Sequence, residues 1–189
     1  IKLPEILAPS GSLESLTAAL RTGADAGYIG GKKFSARNNA ANFDDSEIAE
    51  AARLCHIHNA KLYLAVNTII SDDEAHEFCR FIKKAAEYGV DGFIVQDTGA
   101  VDIIRSAVPD AVLHGSTQLS VHTAAGARLL KDMEFSRVVP ARELSSDTLE
   151  KICKEDIEVE VFVHGALCMS VSGQCYMSAV IGSRSANRG

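Results

Sequence analysis

Short apolar runs alternate along the whole chain with segments whose apolar residues recur every three to four positions. The apolar runs predict strands over residues 5–8, 26–29, 61–66, 92–95, 111–114, 137–139 and 158–163. Helices are expected between them. Leu13, Leu16 and Leu20 share one face of the first, which Gly23 ends. A second starts near Asp44 or Asp45 and runs to about His58, with Asp44 and Glu47 at capping-box spacing. A third opens at Ser71, with Glu74 three residues on, and others are expected over about 100–107, 124–133 and from Ser145 or Ser146 to near Lys154. Ser10 and Thr98 are natural N-cap candidates.

Seven strand–helix alternations with tight connections imply a parallel sheet covered by helices. Every strand exits into polar loop chemistry, as the active face of a barrel requires; an open doubly wound sheet gathers such groups at one switch point. The fold class is therefore α/β, read as a TIM-type (β/α) barrel. It is incomplete, with about seven units present in one domain over residues 1–189 and the last part missing.

Composition narrows the class further. With 189 residues, 47% hydrophobic and 23% charged, the chain suits one ordinary globular core, and no apolar run approaches the length of a membrane span. The net charge of −6, from 19 basic and 25 acidic residues, does not favour non-specific nucleic-acid binding. Five cysteines, an odd number without small-scaffold spacing, point to a reducing cytoplasm. The chain opens on Ile1 rather than Met and closes in polar loop residues, so a trimmed front and an unfinished end are expected.

The stretch from Glu160 to Ser178 carries the densest chemistry. Strand character there breaks at His164-Gly165 into a loop that places Cys168 and Cys175 seven positions apart. Thiolates bind soft metals and iron–sulfur clusters and act as nucleophiles when their pKa is lowered. The spacing excludes a CxxC dithiol, and two buried cysteines serving as small apolar residues remain the plain alternative. A barrel would bring Ser10, Lys32, Lys33, Arg37, Asn67, Gln96, Asp97, Ser116, Gln118, Arg142, Glu143, His164, Cys168 and Cys175 to one mouth. Lys32, Lys33 and Arg37 suit a phosphate or carboxylate, with Phe34 available to stack on a ring, though such clusters are often solvated surface. Arg142 and Glu143 read as a charge pair whose carboxylate is a candidate acid or base, or as a structural ion pair. His164 is a candidate ligand or proton shuttle, or a hydrogen-bonded buried histidine. Cys55, Cys79 and Cys153 sit at apolar helix positions and read as core. No GxSxG, P-loop, GxGxxG or zincin spacing occurs.

The segment from Glu160 to Cys168, followed by Ser172-Gly-Gln-Cys175-Tyr-Met-Ser178, closely resembles the signature of the collagenase-like peptidase family U32. Residues 4–11, 28–31, 34–37, 96–97, 114–118, 141–144 and 182–189 are similar to that family's other segments, in the same order. The name implies a peptidase. The resemblance also implies hydroxylation of RNA bases, a wobble uridine in tRNA or a cytidine in rRNA, or oxygen-independent ubiquinone hydroxylation. It implies a [4Fe–4S] cluster on four cysteines in the full-length protein, with Cys168 and Cys175 as the first two ligands and the others beyond Gly189, so these residues alone are not expected to hold it. From the barrel mouth, Glu143, Arg142, His164, Gln118 and Asp97 are taken as the catalytic set, and Lys32, Lys33, Arg37, Asn67, Gln96 and Ser116 as the substrate side. RNA or a small molecule is the expected substrate. A protein substrate, a family-member partner subunit and a homo-oligomer are the alternatives.

Overall fold

The computed structural model describes residues 3–36, 42–166, 168–177 and 180. Its strands are β1 (Leu7–Pro9), β2 (Ala26–Gly30), β3 (Lys61–Val66), β4 (Gly92–Val95), β5 (Leu113–Gly115), β6 (Arg137–Val138) and β7 (Glu158–Val159). Between them lie helices α1 (Leu13–Arg21), α2 (Asp45–Ile57), α3 (Ala75–Glu87), α4 (Ala100–Ala107), α5 (Ala124–Asp132) and α6 (Ser146–Ile152). All seven strands are parallel and pair strictly in chain order. That order is what right-handed strand–helix–strand crossovers produce when each unit is laid beside the last.

One face of the sheet supplies Ile29, Leu62, Leu64, Val66, Phe93, Val95, Leu113 and Val138 to the main core, where they meet Leu16, Leu20, Ile48, Phe78, Ile82 and Ile104 from the helices. Burying each of these side chains stabilises the fold by about 1.5–3 kcal/mol. Helix starts are set locally. Asp44 caps α2 with its carboxylate on the Glu47 amide, and Glu47 returns the bond to the Asp44 amide. Ser12 and Ser15 do the same for α1. Such caps are each worth about 1 kcal/mol.

The other face joins a small apolar cluster of Ala26, Tyr63 and Ile94 to charged residues, since the register aligns Ile94, His114, Arg137 and Glu158 on neighbouring strands. The Arg137 guanidinium donates to Glu158 at 2.8 Å and 3.1 Å and to Glu160 at 3.4 Å. It also reaches Glu5, just before β1, at 2.7 Å. β1 and β6 are not sheet neighbours, so this contact exists only because the sheet curls until its ends face one another across the interior. Among the described residues no ladder joins β7 to β1, and the barrel is an open, seven-stranded one.

Several boundaries differ from expectation. The last strand covers 158–159 rather than 158–163, and Val161, Phe162 and Val163 are exposed. β7 pairs with β6 alone, and β6 is itself only two residues long, so the ladder ends early. Ser10 does not cap α1; Ser12 does, and the Ser10 hydroxyl is buried without a partner. Thr98 does not cap α4, whose N-cap is Gly99, with the Asp97 carboxylate taking the Gly99 amide at 2.8 Å. The Ser71–Glu74 box caps a 3-10 turn over Asp72–Glu74 that leads into α3. Cys55 is buried and Cys79 half-buried, whereas Cys153 is exposed at the end of α6, where the chain turns out of the helix.

Candidate active site

The C-terminal ends of the strands gather the candidate chemistry, and the loop bearing Cys168 is held there by two other connections. After β5 a 3-10 turn over Thr117–Leu119 ends in a left-handed residue, Ser120 (φ 56°). Its hydroxyl donates to the Ser172 carbonyl at 2.6 Å. After β6 come Arg142 and Glu143. The Arg142 amide donates to the Ser172 hydroxyl at 3.1 Å, and its guanidinium donates to the Cys168 and Ser170 carbonyls at 3.4 and 3.3 Å. Glu143 accepts from the Ser172 amide at 3.0 Å and from the Ser172 hydroxyl at 2.8 Å. Ser172 is fully buried, and its amide, carbonyl and hydroxyl are all bonded.

His122 completes the group. Its Nδ1 lies 2.7 Å from the Ser120 carbonyl and its Nε2 2.9 Å from Glu143. A carbonyl and a carboxylate only accept, so both ring nitrogens donate, and the imidazolium is the form that satisfies both. The Ser120 carbonyl foremost, then Glu143, raise the His122 pKa accordingly. Partial burial pushes Glu143 up, but the Ser172 amide and hydroxyl and His122 outweigh it and hold the carboxyl at about 2. The Ser170 amide, with Arg142 second, lowers the Cys168 thiol. Cys168 is exposed and Cys175 half-buried.

An exposed thiol held toward its thiolate form, with a second cysteine on the same short loop, suits a soft metal or a sulfide cluster. These residues thus fit a cluster as two of its ligands. Among the described residues, no group of three or more histidine, cysteine or acidic side chains is gathered to hold a metal ion.

The other expected site residues are placed as follows. Arg142 and Glu143 do not pair with one another; each is turned onto the cysteine loop. Lys32 pairs with Asp44 at 3.1 Å and Lys33 with Glu77, the lysines exposed and the two acids half-exposed. Arg37 lies outside the described residues. Phe34 is not free to stack on a ligand, because it packs on Phe78 and Phe81 with centroids 5.1 and 5.6 Å away. Asn67 accepts the Ala36 amide at 3.1 Å and Asp97 accepts those of Ile70 and Gly99, so both organise loops. The buried Ser116 hydroxyl accepts the Gln118 amide at 3.2 Å. Gln96 and Gln118 keep a buried side-chain oxygen without a partner. His164 is exposed, and among the described residues no hydrogen bond joins it to Cys168.

His122, Ser120 and Ser172 were not picked out from the sequence. The available signal was that polar residues cluster immediately after the fifth strand, as they do after the sixth. The interior set of Glu5, Tyr63, His114 and Arg137 was also missed. His114 packs edge-on to Tyr63 at 4.4 Å; burial, with Arg137 and Lys61 adding repulsion, lowers its pKa to about 3, so it is neutral. Tyr63, His114 and Arg137 border a cavity of about 730 Å³ at the opposite, N-terminal end of the strands.

An open parallel (β/α) barrel with its polar cluster at the C-terminal mouth is an enzyme-type scaffold. The sequence matches the profile of peptidase family U32 over residues 11–189, and the chain belongs to that family. It is 42% identical over 98% of its length to the 23S rRNA 5-hydroxycytidine C2501 synthase of Escherichia coli, covering 28% of that protein. It is 37% identical over its full length to tRNA hydroxylation protein P1 of Bacillus subtilis, covering 45% of it. A collagenase of Porphyromonas gingivalis is 36% identical over 98% of the chain, which covers 47% of that protein. The chain thus spans less than half the length of these relatives. Among solved structures, the U32 peptidase Mk0906 superposes with a TM-score of 0.70 at 14% identity, over 85% of this chain and 68% of that one, which supports the fold.

Proposed function

We propose that this chain is the barrel part of an iron–sulfur-dependent enzyme that hydroxylates a pyrimidine base in tRNA or rRNA. The observation that carries the reading is the cysteine loop: Cys168 is exposed, biased toward thiolate, and fixed at the C-terminal mouth by Arg142 and Glu143. Relatives named for rRNA and tRNA hydroxylation match nearly the whole chain. Cys168 and Cys175 are the two ligands this chain would give a [4Fe–4S] cluster. Such a cluster supplies electron transfer or a Lewis-acidic iron when bound.

The chain's own residues divide the remaining work. Arg142 draws the loop carbonyls toward the mouth, and the Ser170 amide stabilises the Cys168 sulfur anion. Gln96 and Gln118 offer carboxamides, which suit base edges better than phosphates. Lys32 and Lys33 are held in exposed ion pairs, which are weak in water, so an RNA phosphate can readily replace the acid. Among the described residues, no helix is long and apolar enough to cross a membrane. We place the enzyme in the cytoplasm, where its free thiols stay reduced.

A peptidase needs its nucleophile in contact with a base. His164 and Cys168 make no such contact, and Glu143, at about 2, is too weak a base to serve at neutral pH. Nucleoside mass spectrometry of RNA from a strain lacking the gene tests the proposal. A 5-hydroxypyrimidine should disappear from one RNA and return with the wild-type gene but not with Cys168→Ser. Identical nucleoside profiles with and without the gene would contradict it.

A further inference from the structure

We propose that Glu143, oriented by the His122 imidazolium, is a positioning residue that latches the cysteine loop through Ser172, and is not a proton carrier. The inference rests on the reading of that loop as the reactive site. Every contact the carboxylate makes is directed at holding something. One oxygen accepts the Ser172 amide and His122, and the other accepts the Ser172 hydroxyl. Ser172 is the fully buried pivot between Cys168 and Cys175. Its carbonyl is tied separately to Ser120, the residue whose own carbonyl takes the other nitrogen of His122. The clamp is therefore a closed circuit running from Ser172 to Glu143, His122, Ser120 and back to Ser172.

Beside the pivot, Gly173 sits at φ +76°, and a Cβ there would lie 2.4 Å from both the Gln118 carbonyl oxygen and the Ser120 hydroxyl. The loop is thus pressed against the turn after β5 with no room to slide. A charged acceptor suits this task because hydrogen bonds to a carboxylate are about twice as strong as neutral ones. Glutamine is a poor substitute, since its NH₂ end cannot accept the Ser172 hydroxyl proton or pair with the imidazolium.

The test uses metal-free full-length protein, so that its readout does not depend on any cluster. Amide exchange at Ser172 and the alkylation rate of Cys168 are measured by mass spectrometry on wild type, Glu143→Gln and Glu143→Asp. Exchange at Ser172 should accelerate by about tenfold or more in Glu143→Gln. The Cys168 rate should change with it, and Glu143→Asp should recover part of both. Exchange and alkylation within twofold of wild type in Glu143→Gln, with product formation lost, would overturn the latch and make the carboxylate part of the chemistry. Should Glu143→Gln fail to fold, Ser172→Ala removes one hydroxyl only and should shift both rates in the same direction; unchanged rates there would equally overturn it. Absence of iron from the natural protein would sink the cluster reading while leaving these two rates to decide the latch.

Discussion

Replacing Arg137 with alanine probes how an open barrel keeps its ends together. The side chain is 9% exposed and its guanidinium serves three carboxylates, those of Glu5, Glu158 and Glu160. It also lies over the Tyr63 ring at 5.3 Å. Removing one partner of a buried ion pair costs about 3–5 kcal/mol, because the other charge is left without compensation. Here the carboxylates differ in their recourse. Glu158 is 60% exposed and Glu5 27%, so both can recover water, whereas Glu160 is only 19% exposed. Burial already raises the Glu160 pKa against the opposing pull of Arg137, and without that pull it rises further. The lower end of the range, about 3 kcal/mol, is the expected loss. Native-state hydrogen exchange at the buried amides of β3 should then run roughly 100-fold faster, and the urea midpoint should fall. Arg137→Lys should lie between, because an ammonium cannot form the paired bonds to Glu158. A loss below about 1 kcal/mol for Arg137→Ala would refute the view that this cluster ties β6 and β7 to the start of the barrel.

Four further outcomes follow. Phe78→Ala, which empties a fully buried site against Phe34, should cost about 3–5 kcal/mol by urea unfolding. Gly173→Ala should displace the cysteine loop and change the Cys168 alkylation rate several-fold, with circular dichroism of the barrel unchanged. His114, depressed to about 3 when folded, favours the native state above the unfolded pKa near 6.5; that contribution is lost as pH falls, at up to roughly 1.4 kcal/mol per unit, so the acid-unfolding midpoint should move to lower pH in His114→Phe. The latch pair has opposite signs: Glu143 contributes above about 4.5 and loses it toward about 2, while His122, raised, contributes below about 6.5 and loses it as pH rises through its folded value. Protection of the Ser172 amide should therefore peak in mildly acidic solution and decline on either side.

Much of the scaffold was legible in the sequence because local rules and tertiary packing agree there. Residues 61–66 and 92–95 form strands and residues 100–107 a helix as the apolar pattern predicts, and Asp44 and Glu47 close their box as spacing alone suggested. The barrel class was legible too, since seven parallel strands pair in chain order with helices between them. The charged interior was not. Glu5, Arg137 and Glu158 each stand at or just before the start of an apolar run, and there a charge reads as a boundary rather than as the inward side of a period-two strand. The roles of Asn67 and Asp97 were also hidden, because an amide bonded 27 or 31 residues away leaves no local trace. Ser172 shows the same limit: only the fold reveals that Glu143 reaches it.

Iron and acid-labile sulfide analysis of the anaerobically purified full-length protein is the most direct test of the central claim, that the loop held by Arg142 and Glu143 is a cluster-bearing site. Iron and sulfide in equal amounts, with a charge-transfer absorption that is lost in both Cys168→Ser and Cys175→Ser, is the result expected. Protein that carries neither element after reconstitution, or that keeps both when these two cysteines are replaced, would contradict it.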